Sequence, residues 1–136
     1  MTLDELNVLF HLREELEELH ELRNALLEKA TSTTAPMTGM PHTGNATDKV
    51  AQFAAEIADI DGRIEEEQAE IEEKEKRIAA WAATIRSIKV RLAFRLRFLQ
   101  GFAWKEVADI FGNYTSEAAV KQMCYNYLKR IESNPK

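Results

Sequence analysis

The chain has 136 residues, of which 45% are apolar, and a net charge of −5. It contains only five Gly and three Pro, a composition typical of long helices. No apolar run reaches the ~20 residues that span a bilayer, the N-terminus lacks the basic region of a signal peptide, and one cysteine cannot form an internal disulfide. We therefore expect no membrane partner and a cytoplasmic location.

The first predicted element is an amphipathic helix over residues 1–30. Five leucines recur at helical spacing along one face, and Glu and Arg fill the positions between them. The pattern indicates a helix with a narrow apolar seam. The seam residues are Leu9, Leu12, Leu16, Leu19 and Leu26.

Residues 31–47, TSTTAPMTGMPHTGNAT, are predicted to form a loop. They are rich in Thr, Gly and Pro and show no periodicity. A loop of this length usually has a role. Two roles remain open: a cap in which Met37 and Met40 pack on the helices, or a tip that binds a partner.

Residues 48–89 carry a heptad pattern. Apolar residues occupy every seventh position from Val50 to Leu92 without a gap. Four of these seven residues are followed three positions later by a further apolar residue. This predicts a coiled-coil helix, which we expect to continue to about Leu99. The first helix is too short to cover the whole seam, so the remainder needs a second chain or the C-terminal segment. The candidate oligomerisation residues are Val50, Ile57, Ile64, Ile71, Ile78, Trp81 and Ile85.

Residues 90–136 contain two short predicted helices on either side of Gly112. The first, FAWKEVADIF, has an apolar stripe at i, i+3, i+4 and i+7 spacing that begins at Trp104. Gly112 suits the end of that helix, and Thr115 is expected to cap the next one. Such a pair predicts a helix-turn-helix. The second helix has a predicted buried stripe of Val120, Cys124, Tyr127, Leu128 and Ile131.

Charge is distributed unevenly along the chain. Residues 85–136 hold 10 Lys and Arg against four acidic residues, a net +6, whereas residues 1–84 carry a net −11. A locally basic segment attracts phosphate whatever the sign of the total charge. The basic segment is the one that contains the predicted helix-turn-helix, which favours DNA binding.

The segment LRFLQGFAWKEVADIFG, Leu96 to Gly112, resembles sigma-70 region 4. That pattern reads approximately L-R-Y-L-E-G, a hydroxyl residue, then Y/W-x-E-I-A-x-x-L-G. The chain departs from this pattern at two places. Ala103 stands at the hydroxyl position. Two extra residues lie between Gly112 and Ser116, and they predict a different entry angle for the second helix. The matching residues are Leu96, Arg97, Gly101, Trp104, Glu106, Val107, Ala108, Gly112, Ser116 and Val120.

Over nearly its whole length the chain is similar to small phage and prophage proteins of the ArpU and RinA type, which are late-transcription regulators. The resemblance implies an all-α fold, in which a long helical hairpin or coiled-coil stalk precedes a C-terminal helix-turn-helix. It also implies a DNA-binding transcription regulator in the bacterial cytoplasm. The implied partners are double-stranded DNA, host RNA polymerase, and further copies of the chain in a homodimer or higher oligomer.

The second helix of the pair is expected to expose a polar face opposite its apolar stripe. Gln pairs with adenine, Lys reaches guanine or phosphate, and Glu accepts from cytosine. Ser116 and the free amides beside it can bind phosphate. Arg97 is interpreted as either a phosphate contact or a packing residue. The candidate DNA-binding residues are Ser116, Glu117, Lys121, Gln122, Tyr125, Lys129, Lys105 and Arg95.

Enzymatic activity, a metal and a cofactor are not expected. The Glu-rich runs fill positions outside the seam and indicate a solvated helix face, the three His lack zinc-site spacing, and Cys124 falls on a buried stripe. Two other functions remain open. One is a phage DNA-packaging protein of the small-terminase type, and the other is a helical adaptor of RNA polymerase that does not touch DNA.

Overall fold

The heptad and leucine patterns correspond to helices in a computed structural model, which describes residues 1–33 and 45–133. Those residues contain no strand, and α1 and α2 form a long helical hairpin, so the all-α prediction is confirmed. The helices are α1 (Leu3–Thr33), α2 (Asn45–Ala82), α3 (Ile88–Phe94), α4 (Trp104–Phe111) and α5 (Glu117–Ser133), with one π-helical turn at Arg95–Leu99 directly after α3.

The bounds predicted for the loop at residues 31–47 are wrong at both ends, because α1 continues to Thr33 and α2 begins at Asn45. The two interpretations of Met37 and Met40 concern residues outside the described part of the chain.

The chain divides into two compact units that cross the boundaries predicted at residues 48 and 90. Residues 13–70 form one, here called the hairpin unit, and residues 1–12 with 71–136 form the other, here called the head unit. The start of α1 and the end of α2 therefore belong with the C-terminal helices. A division of the sequence into consecutive segments could not predict that residues 1–12 and 71–136 belong to one unit.

In the hairpin unit, α1 and α2 run antiparallel and are joined by ion pairs. Arg23 binds Asp61, and Arg63 lies 3.8 Å from Glu15. Pairs exposed to this degree contribute at most about 1 kcal/mol each. The apolar core is small, since only Ile64 and Glu67 are buried among the described side chains of residues 13–70.

Glu67 places a carboxylate beside the apolar core of the hairpin unit, and its side chain is only 3% exposed. The Arg63 Nε atom lies 3.3 Å from Glu67 Oε1, but neither carboxylate oxygen receives a well-directed hydrogen bond. Burial raises the pKa of Glu67, the neighbouring Glu15 raises it further, and Arg63 opposes both. The folded state therefore favours the protonated acid.

In the head unit, large side chains form a continuous aromatic core. The rings of Phe10 and Phe98 lie 5.6 Å apart, and those of Trp81 and Phe94 lie 5.0 Å apart. Burying one such side chain contributes roughly 1.5–3 kcal/mol. Because Phe10 belongs to α1, the beginning of the chain is fixed against the C-terminal helices.

The prediction of one uninterrupted helix to about Leu99 is wrong, since α2 ends at Ala82. The Thr84 hydroxyl donates to the Trp81 carbonyl at 2.6 Å, and the Ser87 hydroxyl accepts from the Val90 N–H at 3.3 Å, which caps α3. These local bonds compete with helix continuation. Apolar spacing alone does not detect such a break. Beyond the break Ile85 is still buried, but the next two seam positions, Ile88 and Leu92, are 71% and 39% exposed.

The raised pKa of Glu67 makes stability depend on pH. A folded-state pKa above the unfolded value of about 4.3 means that the folded chain holds a proton which the unfolded chain releases. The free energy of unfolding therefore falls as the pH rises from the unfolded-state pKa of Glu67 through its folded-state pKa. We expect Glu67→Gln to raise the free energy of unfolding by about 1 kcal/mol at pH 7, and the gain to shrink towards pH 4.

Urea unfolding at both pH values measures this effect. The matched control is Glu65→Gln, which alters an exposed neighbour and should change little. A Glu67→Gln protein less stable than the parent at pH 7 would contradict the account of a buried, poorly paired carboxylate.

Candidate nucleic-acid interface

The helical corner formed by α4 and α5 is built on two buried stripes. Trp104, Val107 and Ala108 are buried on α4, at positions that the sequence predicted. On α5 the predicted stripe is buried at Val120, Cys124 and Leu128, and half-buried at Tyr127 and Ile131. These contacts orient α5 and leave its opposite face in solvent.

A five-residue turn, residues 112–116, connects the two helices. Gly112 has φ 63° and ψ −154°, a conformation essentially restricted to glycine, and its N–H donates to the Ala108 carbonyl at 3.1 Å. Asn113 and Tyr114 also have positive φ, at 51° and 61°. The Thr115 N–H then donates to the Gly112 carbonyl at 2.9 Å.

Both helices of the corner have defined starts. Ala103 offers no side-chain cap to α4, yet the Glu106 carboxylate accepts its backbone N–H at 3.0 Å, so this end is better satisfied than the sequence predicted. The prediction that Thr115 caps α5 is wrong by one residue. The hydroxyl of Ser116 accepts the Ala119 N–H at 3.0 Å. The Ser116 hydroxyl accepts in this bond, so its own O–H is still able to donate to a phosphate oxygen.

The candidate residues of α5 are mostly exposed. Glu117, Lys121, Gln122 and Lys129 face solvent, as predicted. Tyr125 is the exception. It is half-buried, and its ring packs edge-on against Trp104 with centroids 6.2 Å apart.

Side-chain pairs order this exposed face. The amide of Gln122 donates to the Asn126 carbonyl oxygen at 2.8 Å, and the Lys121 ammonium lies 5.9 Å from the Tyr125 ring centroid. Asn126 was missed from the sequence, although its position four residues after Gln122 places it on the same helix face. Arg130, also exposed, was missed as well.

Arg97 is a packing residue. Its guanidinium lies 4.4 Å from the Phe10 ring centroid and 5.0 Å from that of Trp104, and Nη1 donates to the Phe102 carbonyl at 3.1 Å. Burial lowers the pKa of Arg97, while the side chains of Tyr125 and Glu117 oppose that shift. Of the two interpretations of this residue, the contacts favour packing.

Arg95 and Lys105, the predicted flanking contacts, are both exposed. They belong to a larger set of exposed cations in the basic C-terminal segment. The set comprises Arg86, Lys89, Arg95, Lys105, Lys121, Lys129 and Arg130.

The predicted oligomerisation seam serves largely within one chain. Ile64, Ile71, Ile78 and Ile85 are buried in the single chain, and Trp81 packs on Phe94 and Tyr127. The four isoleucines are thus covered by their own chain and Trp81 is half-buried, while the assignment of these residues to an interface with a second chain stays a prediction. Val50 and Ile57, the other two, are half-buried.

The cysteine thiol and the possible metal ligands were the other candidates for chemistry. Burial raises the pKa of the Cys124 thiol to about 12, so the thiol stays protonated at neutral pH. Within residues 1–33 and 45–133, no three His, Cys, Asp or Glu side chains are placed to hold a metal ion. His42 lies outside these ranges.

Comparisons of the chain with protein-family models, with curated proteins and with solved structures find no match. None of the helices that the structure describes is long and apolar enough to cross a membrane.

The turn at Gly112 provides a test of the corner. A Cβ at Gly112 would meet no atom within 4 Å, so Gly112→Ala should cost about 1–3 kcal/mol through backbone strain alone. The matched change is Gly62→Ala, inside α2, where a Cβ also meets nothing within 4 Å. There alanine should stabilise the helix by roughly 0.5–1 kcal/mol.

In thermal unfolding, the melting temperature should therefore fall for Gly112→Ala and rise for Gly62→Ala. If Gly112→Ala melted together with the parent, the turn would not require a glycine.

Proposed function

We propose that α4 and α5 form a DNA-binding helix-turn-helix and that the chain is a phage-type transcription regulator. The main support is the surface of α5, which exposes Lys121, Gln122 and Lys129 on the side opposite its buried stripe. Rigid helices that present polar side chains in this way fit the major groove of B-DNA. The resemblance to sigma-70 region 4 and to the ArpU and RinA proteins supports the regulatory role and contact with RNA polymerase.

Direct base contacts are assigned to the first half of α5. Gln122 can bond adenine in a bidentate manner, Lys121 can donate to guanine, and Glu117 can accept from cytosine N4. The hydrogen bond between Gln122 and Asn126 holds the Gln122 amide in one orientation before DNA arrives. Less side-chain freedom is then lost on binding.

Phosphate contacts are assigned to the exposed cations beside the base-reading residues. Lys129 lies further along α5, Lys105 near the start of α4, and Arg95 in the π-helical turn. Each phosphate that is neutralised releases counterions, so binding should weaken steeply with salt. The acidic remainder of the chain does not prevent this attraction, because charges more than about 8 Å apart are largely screened at ~0.15 M salt.

The experiment is a DNA-binding titration of the Lys121→Ala, Gln122→Ala and Lys129→Ala triple variant. We expect it to bind double-stranded phage DNA at least tenfold more weakly than the parent, and to show a shallower salt dependence. All three side chains are exposed, so the melting temperature should stay near that of the parent.

The matched control is the Lys49→Ala, Gln52→Ala and Lys76→Ala triple variant. It removes the same three side-chain types from exposed positions of α2 and should bind DNA like the parent. Equal binding by the α5 variant and the parent would refute DNA recognition by α5. A folded parent that binds no duplex but retains RNA polymerase would favour the adaptor function instead.

Self-association is a second part of the proposal. In the hairpin unit the apolar residues Leu16, Leu19, Phe53 and Ile57 are only half-buried, and Leu22 is 55% exposed. Two helices alone leave such a seam open, whereas four helices can enclose it. A second copy of the hairpin offers the same seam, so we assign the closing partner to another copy of the chain.

Sedimentation should therefore give about twice the chain mass at micromolar concentration. Leu22→Asp should shift the protein towards monomer because it adds a charge to the covered face. Asn24→Asp adds the same charge at an exposed position of α1 that does not follow the seam spacing, and it should leave the dimer intact. A monomeric parent would contradict this part of the proposal.

A further inference from the structure

Tyr114 combines two unusual properties. Its side chain is fully exposed, at 106% of the reference accessibility, and its backbone has φ 61°. Positive φ is uncommon for residues other than glycine and is least expected for a bulky side chain. Asn113 beside it has φ 51°, but Asn tolerates this region well. The fold alone does not explain a tyrosine at position 114, because the ring gains no packing in return for the strained backbone.

The position of Tyr114 does offer an explanation. It lies two residues before Ser116, whose hydroxyl caps α5 through the Ala119 N–H. Tyr114 thus belongs to the turn directly before the end of α5 that carries Glu117 and Lys121. In helix-turn-helix complexes this end of the second helix enters the groove, so residues just before it are close to the sugar-phosphate backbone.

The sequence departs from the sigma pattern at this same turn, where two extra residues lie between Gly112 and Ser116. Asn113 and Tyr114, the two residues of this longer turn with positive φ besides Gly112, lie between Gly112 and Ser116. Residues held in sparsely populated backbone conformations cluster at functional sites.

We propose that Tyr114 donates its phenolic hydroxyl to a phosphate oxygen of the bound duplex. Tyrosine hydroxyls are among the usual donors to DNA phosphates, and such contacts set the register of a protein on the duplex without reading its sequence. This inference rests on the proposed function. It adds a neutral contact, outside α5, to those made by the base-reading side chains and the lysines.

The deciding variant is Tyr114→Phe, which removes one oxygen and retains the ring. Full-chain protein is titrated into a fluorescein-labelled, mixed-sequence DNA duplex, since a phosphate contact does not depend on base sequence. We expect about tenfold weaker binding, the loss typical of one hydrogen bond to a charged group. The salt dependence should stay that of the parent, because no protein charge is removed.

Tyr127→Phe is the matched control. It removes the same oxygen from a half-buried ring that packs against Trp81 and Phe94, and it should bind the duplex like the parent. If Tyr114→Phe also bound like the parent, the hydroxyl contact would be overturned.

A pair of glycine variants separates the side chain from the backbone. Asn113→Gly and Tyr114→Gly both place glycine where φ is positive, so neither should melt below the parent. Only Tyr114→Gly should lose DNA affinity, to the same extent as Tyr114→Phe. An equal loss in Asn113→Gly would assign the effect to the turn conformation and overturn the proposal. A clearly lower melting temperature for Tyr114→Gly would do the same, since it would reveal packing by the ring.

The two levels of the proposal can fail separately. If the α5 triple variant loses affinity and Tyr114→Phe does not, the interface on α5 stands and the Tyr114 contact falls. If the parent binds no duplex at all, the proposed function falls and the Tyr114 contact with it.

Discussion

The guanidinium of Arg97, packed against the rings of Phe10 and Trp104, connects the beginning of the chain with two neighbouring elements of its C-terminal part. Phe10 belongs to α1, Arg97 to the π-helical turn and Trp104 to α4. Trp104 in turn meets Tyr125 on α5, so the orientation of α5 depends on this cation. This half-buried cation is stabilised by the two rings and the Phe102 carbonyl. Lysine lacks the planar guanidinium that can stack in this way.

Packing and surface chemistry are assigned to different residues of α5. Val120, Cys124 and Leu128 secure the helix to the head unit, while Lys121 and Gln122 face solvent. The exposed residues could therefore change without loss of the fold, and in a helix-turn-helix they would set the DNA sequence that is recognised. The hairpin unit differs, because its apolar residues Leu16, Leu19, Phe53 and Ile57 are only half-buried.

Periodicity predicted which residues are buried more reliably than what covers them. The heptad positions Ile64, Ile71, Ile78 and Ile85 are all buried, yet their partner is the same chain, which spacing cannot reveal. The end of α2 depends on hydroxyl bonds at Thr84 and Ser87, and these interrupt the helix without interrupting the apolar pattern. The exposed face of α5 followed from helix geometry, whereas the contact of Tyr125 with Trp104 and the backbone of Tyr114 require three-dimensional coordinates.

The most direct test of DNA recognition by α5 is an NMR titration of the isotope-labelled full chain with duplex DNA. Chemical-shift changes should concentrate at the turn before α5 and along its exposed face, from Tyr114 to Lys129. Leu27, which is exposed on α1 in the hairpin unit, should be unaffected and serves as the internal reference. Changes centred on Leu27, or no changes along α5 at DNA concentrations that saturate binding, would contradict the account.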